Sequence, residues 1–136
     1  MAISVAHAYG PTKFYGPYNA EVVRVIDGDT IVVVAEIFPH LDANISVRIE
    51  GIDTPELRGK KECEKVLARA AKEFVESKFT IEDNPWVQLV NVKDDKYAGR
   101  VVANVFLDHK TSLGALLLIN DMAVPYDGKK KTHKWC

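Results

Sequence analysis

Residues 20–51 read AEVVRVIDGDTIVVVAEIFPHLDANISVRIEG, and this stretch decides the architecture. Val and Ile crowd residues 20–26, the composition of a pleated, half-buried strand. Asp27-Gly28-Asp29 supplies turn residues, and residues 30–38 form a second β-branched run ended by Pro39. Over residues 44–51 the alternation is strict: Ile45, Val47 and Ile49 face one side, and Ser46, Arg48 and Glu50 the other. Three consecutive strands follow.

Moving outward, residues 62–79 switch to helical spacing. Cys63, Val66, Leu67, Ala70, Phe74 and Val75 fall on one stripe that is expected to face the core, with Glu64, Lys65, Arg69, Lys72 and Glu73 largely outside it. Asn84-Pro85 breaks the helix. Residues 86–92 and 100–107 then read as a hairpin around residues 93–99. Thr111 or Ser112 can cap a short helix running to Asn120, and residues 122–124 are extended before a polar tail. Residues 1–18, rich in Gly, Pro and Tyr and without a period, read as an extended arm, which leaves residues 19–136 as one domain. Five strands with a long helix after the third and a short helix at the end predict a mainly β (α+β) chain: a five-stranded Greek-key barrel of the oligonucleotide/oligosaccharide-binding (OB) plan.

The 136 residues suit a single core. Apolar residues at 47% and charged residues at 27% match an ordinary globular chain, and no apolar run approaches the roughly 20 residues a membrane helix needs. The N-terminus lacks a basic start followed by a sustained apolar segment, which favours residence in the cell that makes the protein over secretion. A net charge of −1 gives no global sign of a nucleic-acid partner. The cations are nevertheless grouped, with Arg58, Lys60, Lys61 and Lys65 in one set and Lys129, Lys130, Lys131 and Lys134 in another. The plain reading is two solvated faces. Cys63 and Cys136 are compatible with one disulfide, two free thiols or a contact between copies, and with His133 they are too few for a structural zinc site.

The polar residues around the third strand carry the chemistry. If the second and third strands pair about a loop centred near Leu41, Asp29 falls opposite Asp53. Two carboxylates brought together repel unless a cation sits between them, and oxygen donors without His or Cys favour a hard ion such as Ca²⁺ or Mg²⁺. The alternative is that both aspartates simply cap turns. Thr54-Pro55 holds Glu56 close to the pair, where a third carboxylate can orient or deprotonate a water. Arg48 can join them only if the strand bends, and Gly51 is the easiest place for that; otherwise it is a surface or salt-bridged arginine.

Three blocks then stand in order: Val25-Ile26-Asp27-Gly28-Asp29-Thr30; Val47-Arg48-Ile49 with Gly51-Ile52-Asp53-Thr54-Pro55-Glu56; and Asp95-Lys96-Tyr97-Ala98-Gly99-Arg100. Together they resemble the signature of the staphylococcal nuclease family over about residues 20–124. The resemblance implies a Ca²⁺-dependent nuclease acting on single- or double-stranded DNA and RNA and leaving 3′-phosphates, with no membrane association and no obligate protein partner. Asp29, Asp53 and the backbone carbonyl of Thr54 would bind the metal, and Glu56 would act as general base. Arg48 and Arg100 would grip the phosphate, while Lys96 and Tyr97 would contact a terminal phosphate.

Departures from the family's type member are also visible. The Tyr97–Arg100 block carries one extra residue, the loop between Glu56 and the helix is short, and a C-terminal third helix is missing. The type member is strongly basic, and this chain is not. A Cys63–Cys136 bridge would pin the tail where that third helix otherwise lies. Two alternatives to an active enzyme remain: a catalytically inactive nucleic-acid-binding OB module, and a protein-interaction domain with a structural ion. An intact arginine pair argues against the latter.

Overall fold

The computed structural model describes residues 14–80 and 84–136. In chain order the elements are β1 (Tyr18–Asp27), β2 (Thr30–Phe38), β3 (Leu41–Ile49), β4 (Ile52–Asp53), α1 (Glu62–Thr80), β5 (Trp86–Asp94), β6 (Arg100–Phe106), α2 (Leu113–Ile119) and β7 (Val124–Pro125). Five strands close into a barrel in the order β1-β2-β3-β6-β5, every neighbouring pair antiparallel except β3 with β6. This is the expected OB plan. The arm expected over residues 1–18 lies mostly outside the described residues; within its described part, Tyr15 pairs with Val92 of β5.

Period-2 patterning fills the barrel. Ile31, Val33 and Ala35 of β2, Val47 and Ile49 of β3, Leu89 of β5, and Ala103 and Val105 of β6 are all buried. Leu113 and Leu117, four residues apart on α2, close one end. Ser112 caps α2 by accepting the Ala115 N–H at 3.0 Å, as the sequence suggests, and Asp121 leaves the helix at φ 57°.

The β2–β3 register differs from the expected one. Phe38 pairs with Leu41 across a tight Pro39-His40 turn in which His40 is left-handed at φ 67°, so β3 begins at Leu41 rather than Asn44. Asp29 consequently stands across from Ile49, whose N–H donates to the Asp29 carbonyl at 2.8 Å, and not across from Asp53. Asp53 comes back towards the barrel by another route. The chain turns at Gly51, whose φ of 81° favours a residue without a side chain, and β4 then pairs with β7 as Ile52↔Pro125 and Asp53↔Val124. The extended piece near residues 122–124 is visible in the sequence; its pairing with β4 is not.

The buried face of α1 also differs. Ala68, Ala71 and Val75 are buried, whereas Val66 and Leu67, expected to face the core, are 52% and 41% exposed. Size rather than hydropathy sets the face. A Cβ at Gly28 would lie 2.9 Å from Ala71 Cβ and 3.1 Å from Thr54 Cγ2, so helix, β1–β2 turn and Thr54 meet too closely for larger side chains.

Candidate active site

Four segments converge at one end of the barrel. The β1–β2 turn brings Asp27 and Asp29; the Thr30 hydroxyl donates to Asp29 Oδ1 at 2.8 Å and fixes that carboxylate. The β3 strand brings Arg48, which pairs with Thr30 in the ladder. After the Gly51 bend come Asp53, Thr54 and Glu56. The tail beyond β7 adds Tyr126 and Lys131.

Arg48 is the hub. Its Nη1 donates to the carbonyls of Ile49 (3.2 Å) and Ile52 (3.0 Å), tying the two sides of the Gly51 bend together. Its Nη2 stands 3.5 Å from both Asp29 Oδ2 and Asp53 Oδ1, charge contacts too long for hydrogen bonds. The guanidinium also lies 5.2 Å from the centre of the Tyr126 ring. Asp29, Arg48 and Asp53 are buried, so their charges act on one another through little water.

Glu56 is placed through its backbone. Its N–H donates to Glu64 Oε2 of α1 at 3.1 Å, and its carbonyl accepts from Gly59 N at 3.0 Å. Its side chain accepts from Lys131 Nζ at 2.8 Å, and the same ammonium stands 3.1 Å from Asp53 Oδ1.

Next to β3, the paired strand β6 begins with Arg100, which stands beside Ser46 in the ladder, and the turn before it presents Lys96 and Tyr97. Arg100 Nε donates to Asp95 Oδ2 in a charge-assisted bond, and its guanidinium lies 4.7 Å from the Tyr97 ring centre. Tyr97 is exposed, and Lys96 Nζ is 5.8 Å from the same ring.

These segments enclose a cleft of about 1080 Å³ lined by Asp29, Arg48, Glu56, Lys96, Tyr97 and Arg100 among others. Asp53 lies behind its wall on a smaller groove of about 450 Å³, touching the cleft through Arg48 and Lys131. Thr54 is buried between them, and its hydroxyl has no hydrogen-bond partner among the described residues.

The electrostatics are those of a crowded acid cluster. Burial pushes the Asp53 carboxyl above the ordinary carboxylate value, and Asp29 adds to the rise; Lys131 and Arg48 pull it down without cancelling it. Asp27 is raised by burial, then by Asp29 and Glu56, against the opposing Lys72 and Arg58. Burial disfavours the charge on Lys131, yet Glu56 and Asp53 outweigh it and hold the ammonium above the ordinary lysine value.

A hard cation suits this donor chemistry: two buried carboxylates within reach of one guanidinium, beside a buried Thr54 whose hydroxyl is unpartnered among the described residues, so that the donors offered are oxygens. Among the described residues no three acidic, His or Cys side chains form a cage by themselves. Asp29 and Asp53 would therefore need the Thr54 carbonyl, water and substrate oxygens to complete the shell of about six to eight donors that Ca²⁺ takes.

Three participants escaped the sequence reading. Asp27 looks like a turn residue, Tyr126 belongs to no motif, and Lys131 sits in a lysine run that looks like a solvated face. Only Asp27, two residues before Asp29, carried a signal.

No curated protein matches the chain. The family model for staphylococcal nuclease homologues matches residues 46–135. The match spans the second and third blocks and the tail that brings Tyr126 and Lys131, and starts after the Asp27-Gly28-Asp29 turn. With two of its motif blocks lining one cleft at the end of an OB barrel, the chain belongs to the staphylococcal nuclease homologue family.

Proposed function

We propose that the chain is a Ca²⁺-dependent nuclease that hydrolyses DNA or RNA phosphodiesters and leaves 3′-phosphates. Asp29, Asp53 and the Thr54 carbonyl hold the ion in this reading, and Lys96 and Tyr97 meet a terminal phosphate. Bound Ca²⁺ would polarise a non-bridging phosphoryl oxygen. The remaining chemistry belongs to side chains. The Glu56 carboxylate takes a proton from a water as the water oxygen bonds to phosphorus; the bond to the 5′-oxygen breaks, and that oxygen takes its proton from solvent water. Arg48 and Arg100, which line the same cleft from neighbouring strands, donate to the equatorial oxygens as their charge grows.

The observation that carries this reading is the common cleft: Asp29, Arg48, Glu56 and Arg100 line one space, with Asp53 joined to it through Arg48. One observation favours a second reading, a binding module without turnover. Glu56 is engaged by Lys131, and Arg100 by Asp95, so two catalytic groups are already partnered. Incubating the protein with single-stranded DNA and Ca²⁺, with and without chelator, beside Glu56→Gln separates them. Cleavage that chelator stops and the substitution weakens is the expected result. Retention of the DNA without cleavage would establish the module instead.

A further inference from the structure

The acid cluster already has a cation on it. Lys131 Nζ stands 3.1 Å from Asp53 Oδ1 and 2.8 Å from Glu56 Oε1, touching one carboxylate assigned above to the ion and the one assigned to the water. Its segment is anchored on both sides. Upstream, the Tyr126 N–H donates to the Gly51 carbonyl at 2.9 Å, and the Tyr126 hydroxyl donates to the Lys129 carbonyl at 3.1 Å. Downstream, Cys136 is bridged to Cys63 on α1, and its carbonyl accepts from Lys61 Nζ at 3.1 Å. Residues 126–136 thus run as a strap from the Gly51 bend past the acids to the start of α1.

An ammonium and a divalent ion cannot both sit against Asp53 Oδ1 without strong mutual repulsion. The Lys131 side chain is 40% exposed, so solvent is open to it as an alternative position. We propose that Lys131 is a built-in competitor for the divalent-cation site, held there by the Cys63–Cys136 strap, so that metal entry requires the lysine to leave Asp53. The inference rests on the metal-site reading above and adds a residue that sets the affinity of that site.

Calorimetric titration of CaCl₂ into the folded protein without nucleic acid tests it. Lys131→Gln removes the competing charge and keeps a polar side chain one atom shorter, and Ca²⁺ binding tightens about tenfold. Replacing both cysteines by serine releases the strap and gives part of that gain. Adding Lys131→Gln to the serine pair then gives no more than Lys131→Gln alone. Equal Ca²⁺ affinity in wild type and Lys131→Gln overturns the competitor while leaving the metal site standing. An unchanged affinity in the serine pair overturns the strap's part in it. Absence of Ca²⁺ binding in every variant removes the competitor and the metal site together.

Discussion

Arg48 and Arg100 have different attachments, and their substitutions should separate. Arg100 is bonded to Asp95 through Nε and stacked on an exposed tyrosine. Arg100→Lys keeps the charge but loses the planar fork, so turnover should fall by about 10²-fold, the size seen for a lost oxyanion donor, with little change in melting temperature. Arg48 also ties Ile49 to Ile52 and offsets two buried aspartates. Arg48→Lys should therefore lower turnover similarly and also cost about 1–3 kcal/mol in a urea melt. Equal stability losses in the two variants would contradict this division. Asp108 gives a pH-dependent case. Hydrogen bonds from the Lys110 and Thr111 N–H groups and the Thr111 hydroxyl hold its carboxyl below its ordinary value of 3.8. A lowered folded value means that its stabilisation is present above 3.8 and lost as pH falls through the folded value. Asp108→Ala should thus melt lower than wild type at neutral pH, with the gap closing in acid. Asp27 and Asp53 act in the opposite sense. Their raised values mean that they oppose folding above the folded value and are relieved as pH falls towards 3.8.

The elements were legible where periodicity alone decides them. Strands with period-2 burial and a helix broken by Asn84-Pro85 came out of the sequence nearly as they stand, with α1 expected over 62–79 and found over Glu62–Thr80. Two features were not legible because pattern does not encode them. The β2–β3 register turns on His40 adopting a left-handed conformation, which a sequence reader expects of Gly or Asn. The helix face turns on how closely α1 approaches the barrel, and Ala71 faces inward where nothing larger fits above Gly28. That contact joins fold to site, since Gly28 lies between Asp27 and Asp29 and also touches Thr54. Gly28→Ala should cost about 1–3 kcal/mol by overpacking, and activity at a temperature where the variant is still folded should drop as well. A variant that loses stability but keeps full activity would show that the helix supports the barrel without setting the position of the acids.

For the molecule as a whole, the question is what holds the last eleven residues against the barrel. The motif blocks could indicate the acids and arginines, but no pattern in a run of lysines distinguishes Lys131, which meets Asp53 and Glu56, from its neighbours. Its placement depends on long-range geometry, and the Cys63–Cys136 bridge is the covalent part of that geometry. Beyond β7 the bonds to the barrel are sparse: Tyr126 N–H to Gly51, Lys131 to the acids, and Lys61 to the final carbonyl. The bridge joins residues 73 apart, with Cα atoms 6.4 Å from one another. Closing a loop of that size in the unfolded chain removes entropy worth about 4 kcal/mol. Replacing both cysteines by serine should therefore shift the urea midpoint downward by that free energy while leaving the barrel's far-ultraviolet signature intact. Part of the loss should be offset wherever Ca²⁺ binding tightens, because an ion that binds only the folded state stabilises it in proportion to the logarithm of its concentration over Kd. Melts with and without Ca²⁺ measure both effects at once. The serine pair should gain more from the ion than wild type does, and a smaller gain would mean that the strap assists the ion instead of competing with it.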